Sequence, residues 1–228
     1  MISPDTLPFL TALSENNTRP WFEAHKAEYK PLRQSFVDFM TELAHQIAHF
    51  DPELQTRLGD PITAMVFRIN RDVRFSNNKD PYKTSFSGSI AAGQSPAQPV
   101  YYLGVEPGNV MAGVGIYMPP SPVLGAIREK IDDSPQPLEK VLASQRFQKA
   151  YPNGIETDLK LKTAPKGYPK DHPSIHLLRF KSFTALRRFE DEAIGDDGFM
   201  AELLEGYEAA YGLVTYLRAA TAGVVLER

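Results

Sequence analysis

Apolar side chains near the start of the chain recur at the spacing of an amphipathic helix. They stand mostly three and four positions apart at Phe36, Phe39, Met40, Leu43, Ile47 and Phe50. This spacing puts them on one side of a helix, so we expect a helix whose apolar face packs inward. A shorter helix is predicted to begin at Asp5 and end at Asn16, and another to begin at Thr18. Pro31 is expected to interrupt or restart the helix that follows, because its ring and missing N–H do not fit a helix interior.

The apolar pattern changes to a period of two in the middle of the chain. Odd positions are apolar at Phe67, Ile69, Val73 and Phe75. Even positions are polar at Arg68, Asn70, Asp72 and Arg74. This alternation predicts a strand with one buried face. Arg71 falls on the apolar face, and we expect a carboxylate or backbone carbonyls to anchor it, because an unpaired buried guanidinium is too costly.

Two later apolar runs predict a β-hairpin. Residues 100–105 and 110–118 flank Pro107 and Gly108, and this order of residues suits the central positions of a type II turn. Gly115 shares a face of the hairpin with another glycine two positions earlier. Two glycines together allow a ligand or another backbone to approach closely, and a packed neighbour is the simpler cause.

The order of these elements predicts the fold class. Helical spacing returns after Pro120 and again in residues 200–217, whereas residues 151–171 are rich in Lys, Pro and Gly and predict a long irregular connection. We therefore expect one globular domain over residues 1–228. Its class is predicted to be α+β, with a largely antiparallel sheet covered by N-terminal and C-terminal helices.

The amino-acid composition excludes several classes of protein and several kinds of binding partner. A formal net charge of −3 does not attract polyanions to the whole surface. The chain has no cysteine, which excludes disulfides, thiol catalysis and thiolate metal sites. Its first residues lack the pattern of a signal peptide, and no apolar run approaches the roughly 20 residues that span a bilayer. We expect a cytoplasmic protein that does not enter a membrane.

Positive charge is concentrated between residues 67 and 84. Five cationic side chains lie there, Arg68, Arg71, Arg74, Lys79 and Lys83, together with the carboxylates of Asp72 and Asp80. The segment thus carries +3 and leaves −6 for the remainder of a chain whose net charge is −3. Localised positive charge on a negative molecule indicates a site for a small anion, because a nucleic-acid groove usually covers more surface. Nucleic acid is therefore the less favoured partner.

The predicted ligand is a phosphate-bearing or carboxylate-bearing molecule. Arg68, Asn70 and Arg74 share one predicted strand face, where planar guanidinium groups grip such anions in bidentate fashion. We expect Lys79 and Lys83 to close over the same ligand. Tyr82 is expected to stack on it or to form a hydrogen bond with it. These six residues are the predicted ligand-binding set.

The sequence leaves the activity open between an enzyme and a non-catalytic module. If the protein is an enzyme, Asp72 is the best general base and His172 the best proton donor. In the competing interpretation Asp72 and Asp80 pair with the neighbouring cations, so that the motif is a structural salt-bridge network. The patch would then serve a nucleic-acid or protein partner.

The other sequence patterns do not predict a metal site or a catalytic site. His45 and His49 have the spacing of two metal ligands on one helix, but no nearby third ligand is evident, and we predict no metal site. The sequence contains neither a glycine-rich phosphate loop after a strand nor a nucleophile elbow. No pattern names a cofactor or an oligomeric state.

The central segment also resembles the defining motif of a known family. The residues that carry this resemblance are Arg68, Arg71, Asp72, Arg74, Phe75, Asn78, Lys79 and Tyr82. Further landmarks are Asn16-Asn17, Trp21-Phe22, Tyr101-Tyr102-Leu103, Glu106-Pro107-Gly108, Pro165-Lys166-Gly167-Tyr168, Asp171-His172-Pro173 and Lys181-Ser182-Phe183. They resemble a widespread bacterial family of about this length, domain of unknown function 2461, over nearly the whole chain. The resemblance implies no activity, cofactor or catalytic residue, because the family is defined by sequence.

Overall fold

The computed structural model of the chain describes residues 1–57, 66–93, 95–156 and 158–226. These residues form α1 (Thr6–Glu15), α2 (Arg19–Ala24), α3 (Lys26–Ile47), a first 3₁₀ helix (Pro52–Arg57), β1 (Phe86–Ile90), β2 (Val100–Val105), β3 (Val110–Ile116), α4 (Ser121–Asp133), α5 (Gln136–Leu142), α6 (Gln145–Ala150), α7 (Ile175–Leu178), β4 (Phe183–Phe189), a second 3₁₀ helix (Asp191–Gly195), α8 (Phe199–Ala209) and α9 (Tyr211–Thr221). None of the helices within these ranges has the length and apolar content that crossing a membrane requires.

The strands form one sheet. Its four strands are antiparallel and follow the order β1-β2-β3-β4, so neighbours in the sequence are neighbours in the sheet. The predicted hairpin is confirmed as β2 and β3, where Asn109 N–H donates to the carbonyl of Glu106 at 2.9 Å. Gly108 has a φ of 71°, a conformation that glycine adopts without steric cost. The α+β fold class predicted from the sequence is confirmed.

The chain divides into two compact units. The first unit contains residues 1–90, 102–112 and 188–204, and the second contains residues 91–101, 113–187 and 205–228. Each unit is described by itself below. A single domain over the whole chain stays a prediction.

The N-terminal helices form much of the first unit. Five of the six apolar positions that predicted α3 are buried along one face of that helix, whereas Phe50 lies beyond its end and is half-buried. α3 packs on β1 through rings such as Phe36 and Phe86, whose centroids are 5.8 Å apart. Burying a side chain of this size stabilises the folded state by about 1.5–3 kcal/mol. The hydroxyl of Thr18 accepts a hydrogen bond from the Trp21 N–H at 3.4 Å, which confirms the predicted start of α2.

Pro31 does not interrupt or restart a helix, so that prediction was wrong. The break between α2 and α3 lies at His25, and Pro31 is inside α3. Because Pro31 stands close to the first turn of a 22-residue helix, its missing N–H removes a single backbone hydrogen bond near the end of that helix.

Helices also organise the second unit. α4 buries Val123, Ile127 and Ile131, and both α4 and α5 pack against α9. The sequence predicted one closing helix over residues 200–217, whereas the structure has α8 and α9 separated at Ala210, whose ψ of 4° lies outside the helical range. The apolar spacing continues across this break, which is why the sequence pattern did not reveal it.

Candidate functional site

The segment that precedes β1 is not the continuous strand that the sequence predicted. Its pairing in the structure consists of two isolated bridges, Val66 with Gly88 and Asn70 with Tyr82. From the first bridge to the second, one side of the ladder spans four residues, from Val66 to Asn70. The opposing side spans six, from Gly88 back to Tyr82, so two additional residues interrupt the ladder near Lys83. Beyond Asn70 the described chain leaves the ladder altogether.

The predicted burial of this segment is corrected in the same way. Ile69 is buried as expected, but Phe67 is 43% exposed and Phe75 is 96% exposed. Alternation fixes a buried face only while a strand has a partner along its whole length. Phe75 lies past the last bridge, and no described strand pairs with it.

Asn17 binds the backbone of this segment at Tyr82, where the chain comes back to pair with Asn70. Its Oδ1 accepts a hydrogen bond from the Tyr82 N–H at 3.1 Å, and its Nδ2 donates to the Tyr82 carbonyl at 3.0 Å. The ring of Tyr82 stacks on Phe22 with centroids 4.1 Å apart and is only 5% exposed. Tyr82 therefore holds the segment to α2, and its predicted contact with a ligand stays a prediction.

Arg74 is paired within the segment. Its Nε donates to Asp72 Oδ1 at 2.9 Å, and its Nη2 lies 2.6 Å from Asp72 Oδ2. Hydrogen bonds from the Arg74 side chain, and then from its backbone N–H, lower the pKa of Asp72. An ionised carboxylate with a lowered pKa is a weak base. This geometry fits the structural interpretation of Asp72 better than the predicted general-base role, which stays a prediction.

Arg71 and Lys79 also bind groups of their own loop. Arg71 donates to the Asp80 carbonyl and to Ser76 Oγ, both at 3.4 Å, and lies 4.0 Å from the Asp80 carboxylate. The predicted anchoring of Arg71 is thereby confirmed. Lys79 Nζ donates to the Val73 carbonyl at 3.0 Å. The loop formed by residues 71–81 thus uses three of the five cations for its own structure.

Arg68 and Lys83 are the two cations that this loop does not use, and we call them the basic pair. Neither forms an ion pair with a carboxylate in the described ranges. Lys83 Nζ lies 5.3 Å from the centroid of the Phe67 ring. Burial, and then the charge of Arg68, lower the pKa of Lys83. Asn70 is exposed two positions after Arg68, beside the bridge to Tyr82.

His172 lies in the second unit, whereas Asp72 lies in the first. Its Nε2 is 2.8 Å from Asp132 Oδ1, and its Nδ1 accepts the Ser174 N–H at 3.0 Å. The accepted bond places the proton of the neutral ring on Nε2, where it faces Asp132. Both nitrogens serve the local structure before α7, so the predicted proton-donor role draws no support from these contacts and stays a prediction.

The histidines considered for metal binding do not share a helical face. α3 ends at Ile47, so His49 lies beyond the helix that carries His45. Within the part of the chain that the structure describes, no group of three His, Asp or Glu side chains comes together in the way that a metal ion requires.

A family model matches residues 5–216 of the 228-residue chain and is described as a conserved hypothetical protein, DUF2461. The chain belongs to this DUF2461 family. No curated protein and no solved structure matches the chain.

Several landmarks of the DUF2461 resemblance meet in the first unit. Asn17 and Phe22 both contact Tyr82, and Thr84 Oγ1 donates to Glu106 Oε1 at 2.9 Å. The site prediction missed Asn17, Thr84 and Glu106, because short-range charge patterns do not show contacts between residues that are far apart in the sequence. The landmarks themselves were the signal that could have identified Asn17 and Glu106.

Proposed function

We propose that this DUF2461 protein binds a small anionic ligand, phosphate-bearing or carboxylate-bearing, at the basic pair of Arg68 and Lys83. The observation that carries the proposal is that these two cations act on each other electrostatically, while neither forms an ion pair with a carboxylate among the described residues. The charge of Arg68 also acts on Asp72, but that carboxylate is already paired with Arg74. Asn70 supplies a further hydrogen-bond donor from the same segment. The ligand is taken to be a small molecule of the bacterial cytoplasm, and turnover of that ligand is not required.

Electrostatics favours an anion at the basic pair. Partial burial of Lys83 disfavours its charged form, and the positive charge of Arg68 repels it. Keeping Lys83 protonated in the free protein therefore costs free energy. An anion between the two side chains offsets both contributions. Hydrogen bonds to charged groups contribute about 1.5–3 kcal/mol each, so a phosphate or carboxylate held by both cations would bind measurably.

The competing interpretation explains part of the segment. Arg74 pairs with Asp72, Arg71 lies near Asp80, and Lys79 binds the Val73 carbonyl, so these side chains are engaged with their own loop. Two remaining cations match a small anion better than a nucleic acid, whose affinity depends on contacts with many phosphates. We therefore propose the ligand site for Arg68 and Lys83 and the structural network for the loop.

Anion-specific stabilisation tests the proposal. Sodium phosphate or sulfate is expected to raise the melting temperature of the wild-type protein more than sodium chloride at matched ionic strength, because a ligand that binds only the folded state stabilises it. In a chain of this size, each kcal/mol gives a shift of about 2–4 °C. The difference between anions is expected to disappear in Arg68→Gln and in Lys83→Met.

Arg74→Gln is the matched control for this experiment. It removes one cation from the same segment, together with its pair with Asp72 and its contact with the Phe75 ring. Neither contact involves the basic pair, so the phosphate effect is expected to persist. If wild type shows no preference for phosphate over chloride, the proposal is wrong. A preference that is retained in Arg68→Gln and lost in Arg74→Gln would move the site to the loop.

The pH dependence of sulfate binding gives a second test. The pKa of Lys83 is lowered in the free folded protein, and a bound anion favours the ammonium form. Affinity for sulfate, whose own charge is constant, is therefore expected to fall as pH rises through this lowered pKa, before the ordinary lysine value of 10.5 is reached. In Lys83→Arg the guanidinium stays charged and the decline should be absent. Calorimetric titrations with sulfate across this pH range measure the affinities of wild type and Lys83→Arg. If the two proteins show the same pH profile, Lys83 has no role in binding.

The same shift affects the stability of the free protein with the opposite sign. The folded state binds fewer protons at Lys83 than the unfolded chain does, so this group adds stability as pH rises between the lowered pKa and the ordinary lysine pKa. Sulfate should reduce this dependence, since it restores the proton to Lys83.

A further inference from the structure

The loop of residues 71–81, which we call the aromatic loop, exposes one large hydrophobic side chain among its polar ones. Phe75 is 96% exposed, and the guanidinium carbon of Arg74 lies 5.8 Å from the centroid of its ring. The Asp72–Arg74 pair and the bond from Lys79 to the Val73 carbonyl fix the backbone on both sides of Phe75. An aromatic side chain held in this way loses little conformational entropy when it binds a partner.

An open groove lies elsewhere on the first unit, between α1 and the second 3₁₀ helix. Its volume is about 530 Å³, which is within the usual range of binding pockets. Apolar side chains line it at Leu7, Pro8, Ala12 and Ile194, and we refer to them as its floor. Carboxylates line it at Glu15, Asp191 and Glu192, and we refer to them as its rim. We call this surface the acidic groove.

The charges of the acidic groove and the aromatic loop are opposite. Residues 190–197 contain five carboxylates and no cation, and in the described ranges none of these carboxylates forms an ion pair. The Asp191 carboxylate instead accepts the Gly108 N–H at 2.9 Å, which fixes the 3₁₀ helix. The aromatic loop contains three cations and two carboxylates and carries a net charge of +1, and the adjoining Arg68 and Lys83 bring residues 68–83 to +3. The groove therefore offers an apolar floor for a ring and a negative rim for cations beside that ring.

We propose that the aromatic loop of one molecule docks into the acidic groove of a second copy of this chain, with Phe75 on the apolar floor and Arg74 at the rim. The exposure of Phe75 shows that its own molecule does not fill the groove in this way. Complementary charge and an apolar contact on one chain favour a second copy over an unrelated partner. The contact joins two different surfaces, so it links molecules head to tail. One loop in one groove buries a small area, which gives weak association that salt reduces.

Sedimentation velocity over a concentration series, from micromolar to submillimolar and at low and high salt, tests the proposal. Wild type is expected to associate reversibly at low salt and to dissociate as salt rises. Phe75→Ser removes the ring, and the double variant Glu15→Lys/Glu192→Lys reverses the rim. Each is expected to weaken association about tenfold or more. These side chains are exposed, and thermal melts check that the variants fold.

Mixing the two variants gives the sharpest result. The Phe75→Ser protein keeps an intact groove and the Glu15→Lys/Glu192→Lys protein keeps an intact loop, so an equimolar mixture should form a one-to-one pair that neither forms alone. Such a pair cannot grow further by this contact. Failure of the mixture to associate overturns the proposal.

Matched controls separate this contact from general effects of exposed rings and net charge. Tyr117→Ser removes another exposed aromatic ring, and Glu129→Lys/Asp133→Lys makes an equal change of charge on α4. Both should associate like wild type, and a loss of association in these controls would overturn the proposal. Wild type that stays monomeric throughout the series also overturns it. If a single-stranded oligonucleotide then binds wild type but not Phe75→Ser, the aromatic loop is a nucleic-acid contact instead.

Discussion

Replacing Gly115 with Ala is expected to destabilise the folded protein by more than about 4 kcal/mol, a loss that few single substitutions cause. A Cβ atom at this position would lie 1.9 Å from the carbonyl oxygen of Phe183, and the φ of 122° is one that L-residues rarely adopt. The obstructing atom belongs to the backbone of β4, so rotation of a side chain cannot relieve the clash. Denaturant-induced unfolding, monitored by circular dichroism, measures the change.

Gly125→Ala is the matched control for Gly115→Ala. Gly125 lies within α4, and a Cβ there meets nothing within 4 Å. Alanine in a helix interior is expected to stabilise the protein by roughly 0.5–1 kcal/mol relative to glycine. Equal stabilities of the two variants would show that β3 and β4 do not approach each other as closely as the structure indicates.

The elements that the sequence predicted best are those whose signals are local. The apolar face of α3 recurs at helical spacing from Leu32 to Ile47, and the β2–β3 hairpin is set by Pro107 and Gly108 between two apolar runs. In each case the residues that decide the element lie within it. Gly115 also predicted the close approach of a packed neighbour, and the structure shows this neighbour to be β4.

The strand predicted over residues 67–75 failed because its outcome depends on distant residues. Two additional residues in the opposing chain interrupt the ladder between its two bridges, and Tyr82 at the second bridge is held by Asn17, which stands 65 positions away. The alternation of apolar and polar residues contains no information about either contact. Phe75 continues the alternation of apolar and polar residues, but it lies beyond the last backbone pairing and therefore has no buried face to occupy.

The candidate site was predicted as a region but not as a set of contacts. Charge counting found the excess of cations between residues 67 and 84. It could not tell that Arg74 would pair with Asp72, and Lys79 with a carbonyl of its own loop, because such pairing depends on how the loop turns back on itself. The structure leaves Arg68 and Lys83 outside this pairing, which is the basis of the proposed anion site.

Asn17→Ala is expected to lower the free energy of unfolding by about 2–4 kcal/mol, because two hydrogen bonds are lost and their partners are left unsatisfied. The other backbone bonds of this bridge run from Arg71 N–H to the Pro81 carbonyl and from Lys83 N–H to the Ile69 carbonyl, each at 2.8–2.9 Å. The N–H and carbonyl of Tyr82 therefore point to the other side, where the carboxamide of Asn17 binds both. Amide hydrogen exchange at Arg71 and Lys83 should also accelerate, as the bridge opens more often.

The neighbouring asparagine provides the control that makes Asn17→Ala decisive. Asn16 donates one exposed hydrogen bond to the Ala12 carbonyl at 3.0 Å, so Asn16→Ala should change the unfolding free energy by less than about 0.5 kcal/mol. Asn17→Asp keeps an acceptor for the Tyr82 N–H but loses the donor to its carbonyl, and an intermediate loss is expected. Equal stabilities of Asn16→Ala and Asn17→Ala would mean that this side chain does not hold the segment. If Asn17→Ala is destabilised as expected but still melts later in phosphate than in chloride, the anchor and the anion site are separable features of the same segment.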